Sequence, residues 1–245
     1  MNVRVHPTPR QATLAAADFL AGALRTARTL MVAGGNTPLE LYAEIARRHL
    51  QLKALHVFVL DEYVGVPPED PRTCTNLLRQ AVAQAWNIPE EQFHGLSSTP
   101  AEAKASLDTH ERAIKSRGGI DAIVLGLGPN AHLGFNEPGS ARDSQDRVLD
   151  LEASSVEANR LWFGGEHAPS RGATVGLSTV LAARTAILLA FGRAKAAAVR
   201  AMVEGPREAS CPAAWLQDHP DASIFLDEDA ASLLARRGRT DRDPA

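Results

Sequence analysis

The sequence predicts an α/β fold: an open, mostly parallel sheet with helices on both faces and a lid segment. Three observations carry that expectation. Short apolar runs such as Thr29-Leu30-Met31-Val32-Ala33 and Ala186-Ile187-Leu188-Leu189-Ala190-Phe191 read as strands buried on both sides. Helix-spaced segments alternate with them, the pattern of βαβ units. Polar clusters of unusual composition follow directly on three of the runs, and in such Rossmann-like sheets ligands sit beyond the carboxyl ends of the strands.

In chain order, residues 10–26 are rich in Ala and Leu at helical spacing, and the first strand, 29–33, runs into Gly34-Gly35. Thr37 can then N-cap a helix, with Pro38 in its first turn and Glu40 completing a capping box, which predicts a helix to about His49. His56-Val57-Phe58-Val59-Leu60 is the second strand; it ends at Asp61-Glu62-Tyr63 and a Pro-rich loop over 66–71. Residues 74–86 and 101–117 read as helices. A third strand, 120–126, leads into Gly128-Pro129-Asn130-Ala131-His132. Residues 141–173 are polar and irregular, an excursion long enough for a lid or binding loop. A strand over 186–191, a helix over 195–203 and a strand over 222–226 complete the pattern, and the charged tail 236–245 is expected to fray. With no internal repeat and no Gly/Ser linker, the 245 residues read as one α/β domain.

Composition narrows the function classes. The chain is 44% hydrophobic and 22% charged, which suits a globular domain. A net charge of −3 gives no basic surface for nucleic acid. No apolar run is long enough to span a bilayer, and Met1-Asn2-Val3-Arg4-Val5-His6-Pro7 has no apolar signal core, so a cytoplasmic location is expected. The two cysteines, Cys74 and Cys211, have neither C-x-x-C nor zinc spacing, and none of the eight histidines forms an H-x-x-x-H pair. G-x-S-x-G and G-x-x-x-x-G-K-[ST] are both missing, which removes a serine elbow and a nucleotide-hydrolysing P-loop. No metal or redox cofactor is expected.

Chemistry concentrates at three strand ends. Gly34-Gly35-Asn36-Thr37-Pro38 lets the backbone approach an anion, and the helix N-terminus that follows would favour a phosphate; the same turn also serves as a plain strand-to-helix connection. In Asp61-Glu62-Tyr63, two adjacent acids after a buried strand are costly unless used or solvated, and a carboxylate so placed can act as a general base. Asn130, His132 and Glu137 put an amide, an imidazole and a carboxylate within eight residues, a set that can shuttle protons near neutral pH. Lys195 follows a buried strand and starts a helix. The three tryptophans, Trp86, Trp162 and Trp215, read as packing groups.

Taken together, these segments resemble the glucosamine-6-phosphate deaminase (isomerase) family, which is related to 6-phosphogluconolactonases. The resemblance runs from about Leu30 to Leu234 and rests on Leu60-Asp61-Glu62-Tyr63-Val64-Gly65, Leu125-Gly126-Leu127-Gly128, Gly134-Phe135-Asn136-Glu137-Pro138-Gly139, the stretch Thr174 to Leu181, and Leu216-Gln217-Asp218-His219-Pro220. Lactonases have Asp-Glu-Arg where this chain has Asp61-Glu62-Tyr63 and lack the Phe-Asn-Glu-Pro found at 135–138; Gly34-Gly35-Asn36-Thr37-Pro38 and Gly128-Pro129 lean the other way.

The resemblance implies conversion of glucosamine 6-phosphate and water to fructose 6-phosphate and ammonia, as part of amino-sugar metabolism, without a redox cofactor. It implies that Asp61 moves the proton between C2 and C1, that His132 assists ring opening with Glu137 orienting it and Asn130 supporting the step, and that Gly35, Asn36, Thr37 and Lys195 hold the phosphate. Three positions depart from the family pattern. Ala131 stands where Gly is usual, Ser144-Gln145-Asp146-Arg147 replaces Ser-Arg-Thr-Arg, and the lid arginine falls on Leu161, with Arg160 beside it as the candidate replacement. A sugar-lactone hydrolase, a galactosamine-6-phosphate deaminase and a catalytically silent sugar-phosphate-binding protein are the other readings, and a homo-oligomer is open.

Overall fold

A computed structural model describes residues 1–165 and 168–235; the tail expected to fray, 236–245, lies outside the described residues. In chain order the elements are β1 (Asn2–His6), α1 (Pro9–Leu24), β2 (Thr29–Val32), α2 (Asn36–Arg47), β3 (His56–Val59), β4 (Asp61–Val64), α3 (Cys74–Leu78), β5 (Phe93–His94) and α4 (Ala103–Ser116). They continue with β6 (Ala122–Gly126), β7 (Arg147–Asp150), α5 (Ala153–Asn159), β8 (Arg171–Thr174), α6 (Leu177–Leu181), β9 (Thr185–Ala190), α7 (Ala196–Glu204) and β10 (Ala222–Asp227). Seven strands form one sheet in the order β1-β10-β9-β6-β2-β3-β5, every neighbouring pair parallel. A second sheet, β4-β8-β7, is antiparallel.

The pleat explains the two-sided core. Successive strand residues point to opposite faces, so Leu30 and Val32 pack with Ala16 and Leu20 of α1 and Leu41 and Ile45 of α2 on one side. Met31, Ile123 and Leu125 pack with Ile114 of α4, Val180 of α6 and Val199 and Met202 of α7 on the other. Both faces being covered, the strands read as unbroken apolar runs. Helix α1 begins where Thr8 accepts a hydrogen bond from the Gln11 N–H and Pro9 takes the first turn. No helix among the described residues is long and apolar enough to cross a membrane.

Several expectations change. Helix α2 starts at Asn36 and ends at Arg47, with Gly35 and not Thr37 at its cap; no side chain caps it, so the Thr37–Glu40 capping box does not form. The cause is the turn before it. Ala33 is tied to β6 through its N–H to the Val124 carbonyl and accepts from the Tyr42 hydroxyl, and Gly35 reverses the chain at φ +94°, open to glycine. The stretch 141–173 is not irregular: β7, α5 and β8 lie in it. Edge strand β1 and the two-residue β5 were not anticipated: β1 is largely exposed and so carries no apolar run, and β5 is too short to show one. The residues 193–195 form a single 3₁₀ turn, so α7 starts one residue past Lys195.

The largest change concerns Asp61-Glu62-Tyr63, which is a strand and not a loop. Leu60 hands the chain between sheets: its N–H bonds the Val32 carbonyl in the large sheet, and its carbonyl accepts from the Val175 N–H at the end of β8. From there Asp61 pairs with Thr174 and Glu62 with Ala173. Glu62 is fully buried, and its carboxylate accepts the backbone N–H groups of Tyr63 (2.8 Å), Cys74 (2.9 Å) and Thr75 (2.7 Å), the last two in the first turn of α3. An anion there satisfies orphan donors and faces the positive end of the helix. Ala131 is a fold-level strain point: it is buried and non-glycine at φ +65°, a conformation costing roughly 1–2 kcal/mol.

Replacing Glu62→Gln leaves those N–H donors facing a neutral amide that must also bury its own donors. Urea unfolding should show a loss of about 2 kcal/mol. Ala131→Val adds a β-branched side chain at left-handed backbone in a buried site; the same measurement should show a loss of about 2 kcal/mol or more.

Candidate active site

The chain order around the large sheet creates a crevice. After β2 it proceeds outward to β3 and β5, whereas after β6 it proceeds the opposite way to β9 and β10. β2 and β6 are neighbours, so the connections leaving their carboxyl ends diverge, which is where open α/β sheets bind ligands. The sequence-predicted residues are carried by this crest. Gly35, Asn36 and Thr37 follow β2, Asp61 follows β3, Asn130, His132 and Glu137 follow β6, and Lys195 follows β9.

Gly35 and Asn36 are exposed and Thr37 half-buried, at a helix start that no side chain caps. The N–H groups of that turn are placed to meet an anion from solvent. Pro38, in the same turn, is the nearest neighbour of a Cβ built on Gly126, 4.0 Å away, which sets the start of α2 against the end of β6. The Lys195 ammonium donates to the Leu127 carbonyl at 2.6 Å, on the connection after β6. Burial pushes its pKa below the usual lysine range.

The predicted proton-shuttling trio is brought together. His132 Nδ1 lies 3.2 Å from Glu137 Oε2, and Asn130 Nδ2 donates to that oxygen at 2.8 Å. Asn130 also accepts from the His132 backbone N–H at 3.3 Å. Burial raises the Glu137 pKa, but the bonds from His132, Ser155 and Asn130 outweigh it, and the carboxyl titrates below its ordinary range. The imidazole lies directly over Gly128: a Cβ there would stand 2.2 Å from His132 Cδ2 and 2.3 Å from Nε2. Glycine is needed at 128 for this close approach.

The loop is pinned onto the Asp61 strand. Asn136, fully buried, donates from Nδ2 to the Leu133 and Val175 carbonyls, and the Phe135 N–H donates to Thr174 Oγ1 at 3.2 Å. Thr174 is the cross-strand partner of Asp61. A Cβ on Gly134 would lie 3.0 Å from the Leu60 side chain. Loop and strand therefore share one packed junction.

Of the two adjacent acids, Glu62 is consumed by the helix start, while Asp61 is 7% exposed and its Oδ1 has no hydrogen-bond partner among the described residues. Burial first, and the Glu62 carboxylate second, push the Asp61 pKa up to about 7, with the Cys74 thiol pulling the other way. A carboxyl poised there is suited to take and return a proton at neutral pH.

Arg160 is placed differently from its expected role. It is half-exposed and bonds Glu157 Oε2 at 3.2 Å and the Gly165 carbonyl at 3.3 Å, both within its own segment, and the neighbouring Leu161 is 90% exposed. That segment is anchored instead by Trp162, whose Nε1 donates to the Arg72 carbonyl, and by Phe163, packed edge-on against Tyr63 at 5.0 Å with the Arg72 guanidinium over its ring. Sequence reasoning missed Ser155 of α5, whose hydroxyl lies 3.3 Å from His132 Nδ1; a lone serine in a polar stretch carries no signal. It also gave little weight to Arg147, which donates to Asn136 Oδ1 at 3.0 Å and Ser140 Oγ at 2.8 Å and so braces the loop.

Comparison with known proteins places the whole chain. Residues 8–225 match the family of glucosamine-6-phosphate isomerases and 6-phosphogluconolactonases. A glucosamine-6-phosphate deaminase of Corynebacterium aurimucosum is 38% identical over 242 residues, covering 97% of this chain and 95% of the relative. Among solved structures, a monomeric glucosamine-6-phosphate deaminase superposes with a TM-score of 0.91 at 29% identity, over 95% of this chain and 100% of that one. A 6-phosphogluconolactonase from Trypanosoma cruzi, at TM-score 0.78 and 22% identity over 96% of this chain and 97% of that one, shares the fold. By its strand ends, its sheet order and this match over most of its length, the chain belongs to the glucosamine-6-phosphate isomerase/6-phosphogluconolactonase family.

Proposed function

We propose that the protein is a glucosamine-6-phosphate deaminase, converting glucosamine 6-phosphate and water to fructose 6-phosphate and ammonia. One observation carries the reading: a buried carboxyl poised near neutrality, Asp61, shares a junction with an imidazole–carboxylate pair, His132 and Glu137, at the crest of the sheet. Relatives at 36–40% identity that bear the deaminase name support it.

The chemistry divides between the two groups. His132 takes the proton from the anomeric hydroxyl and delivers one to the ring oxygen, opening the pyranose, with Glu137 holding the ring nitrogen opposite the substrate. Asp61 then removes the proton at C2, leaving an enolamine, and returns it to C1. The resulting imine at C2 adds water and expels ammonia, leaving the ketose. The phosphate, held by the N–H groups of Gly35, Asn36 and Thr37 and by Lys195, supplies binding energy remote from the reacting carbons and fixes their approach to Asp61. Arg160 would join the phosphate only by leaving Glu157.

Ammonia release from glucosamine 6-phosphate tests the reading directly. Acid release from 6-phosphogluconolactone with no ammonia from the amino sugar would overturn it in favour of the lactone hydrolase.

Because Asp61 acts as a base, the acid limb of kcat/KM should fall near pH 7, and Asp61→Asn should lower ammonia release by at least about a hundredfold. The same substitution should stabilise the protein. The Asp61 carboxyl is raised from 3.8 to about 7 in the fold. The folded state therefore holds its proton more tightly than the unfolded chain, and wild-type stability falls as pH rises from about 4 to about 7. Asparagine escapes that loss. Urea unfolding should show the variant ahead by about 4 kcal/mol at pH 8 and level with wild type below pH 4. Lys195→Gln should raise KM for the phosphorylated sugar by about tenfold, with a smaller change in kcat, in steady-state ammonia assays.

A further inference from the structure

Of the side chains hydrogen-bonded to the His132–Glu137 pair among the described residues, Ser155 alone comes from outside the loop 128–140. It is carried by α5, inserted between β7 and β8 of the small sheet, and it is 1% exposed. We infer that Ser155 is a positioning residue for the His132 imidazole: its hydroxyl shares the Nδ1–H with Glu137 and helps hold the ring with the proton on Nδ1 and the Nε2 lone pair free for the substrate. The kinetic part rests on the deaminase reading; the geometric part does not.

The hydrogen-bond inventory leads there. His132 Nδ1 has two oxygens in reach, Glu137 Oε2 at 3.2 Å and Ser155 Oγ at 3.3 Å. A carboxylate can only accept, so the Nδ1 atom must be the donor. A hydroxyl can accept from Nδ1–H and at the same time donate. The same hydroxyl faces the Glu137 carboxylate and helps to lower its pKa. Asn130 already donates to Oε2, so Asn130 and Ser155 approach the carboxylate from two elements and keep it an acceptor. The backbone holds Ser155 in place, its N–H donating to the Glu152 carbonyl at 2.9 Å. Removing the hydroxyl leaves Glu137 Oε2 as the one side-chain acceptor for Nδ1–H among the described residues, so the ring is held less firmly in the tautomer that leaves Nε2, over Gly128, bare.

The test is Ser155→Ala, read by kinetics and by 15N spectra of the substrate-free protein. In ammonia assays kcat should fall about tenfold with KM within twofold. Unchanged turnover, or a loss of kcat matched by a fall in thermal midpoint, overturns the inference. The 15N spectrum of wild-type His132 should show Nδ1 protonated and Nε2 bare, and that of the variant a mixture; a wild-type ring protonated mainly on Nε2 overturns it whatever the activity. If wild type releases no ammonia, the deaminase reading falls, and the spectra still decide the role of Ser155.

Discussion

The site depends on how the fold disposes of two adjacent acids at a sheet boundary. Placing Asp61 and Glu62 side by side under cover would be prohibitive if both stayed charged and unpartnered. Glu62 is partly compensated: its carboxylate meets the Tyr63 N–H and the first N–H groups of α3, although burial still raises its pKa above the ordinary range. That anchored charge then acts on Asp61, which has no such partner and is raised by burial and by its neighbour. A structural helix cap and a carboxyl raised toward neutrality are thus two consequences of one dipeptide. Both acids meet α3, Glu62 through the N–H groups of Cys74 and Thr75 and Asp61 through the Cys74 thiol.

The second constraint is the hand-over at Leu60. Its N–H belongs to the parallel sheet and its carbonyl to the end of β8, so the small sheet grows from the crest of the large one. That joins Asp61 to Thr174, and Thr174 to Phe135 in the histidine loop. Asn136 and Arg147 lock the loop further, with Arg147 reaching in from β7. The cost of such a fixed loop is visible at Ala131, held in left-handed backbone. The strain persists because the surrounding hydrogen bonds, Ala131 N–H to Gly128 and Ala213 N–H to the Ala131 carbonyl, leave the backbone no alternative. One residue on, the His132 imidazole lies over Gly128 at a distance no Cβ would allow.

The parallel sheet, most of its helices and the strand ends that hold the candidate residues were legible in the residue order, because fully buried strands need unbroken apolar runs and a chain of 245 residues leaves few other ways to cover them. Asn130, His132 and Glu137 were legible for the same local reason: within eight residues, one loop suffices to bring them together. Tertiary structure decided what depends on partners far along the chain. Whether 61–64 is loop or strand turns on pairing with 171–174, more than a hundred residues on, and polar segments such as Arg171-Gly172-Ala173-Thr174 carry no alternation to announce it. The separate fates of Asp61 and Glu62 and the arrival of Ser155 at His132 are likewise set by packing between distant elements. A side chain's chemistry is written in its residue type, but its protonation state and its partners are properties of the space around it, which exists only once the chain has folded.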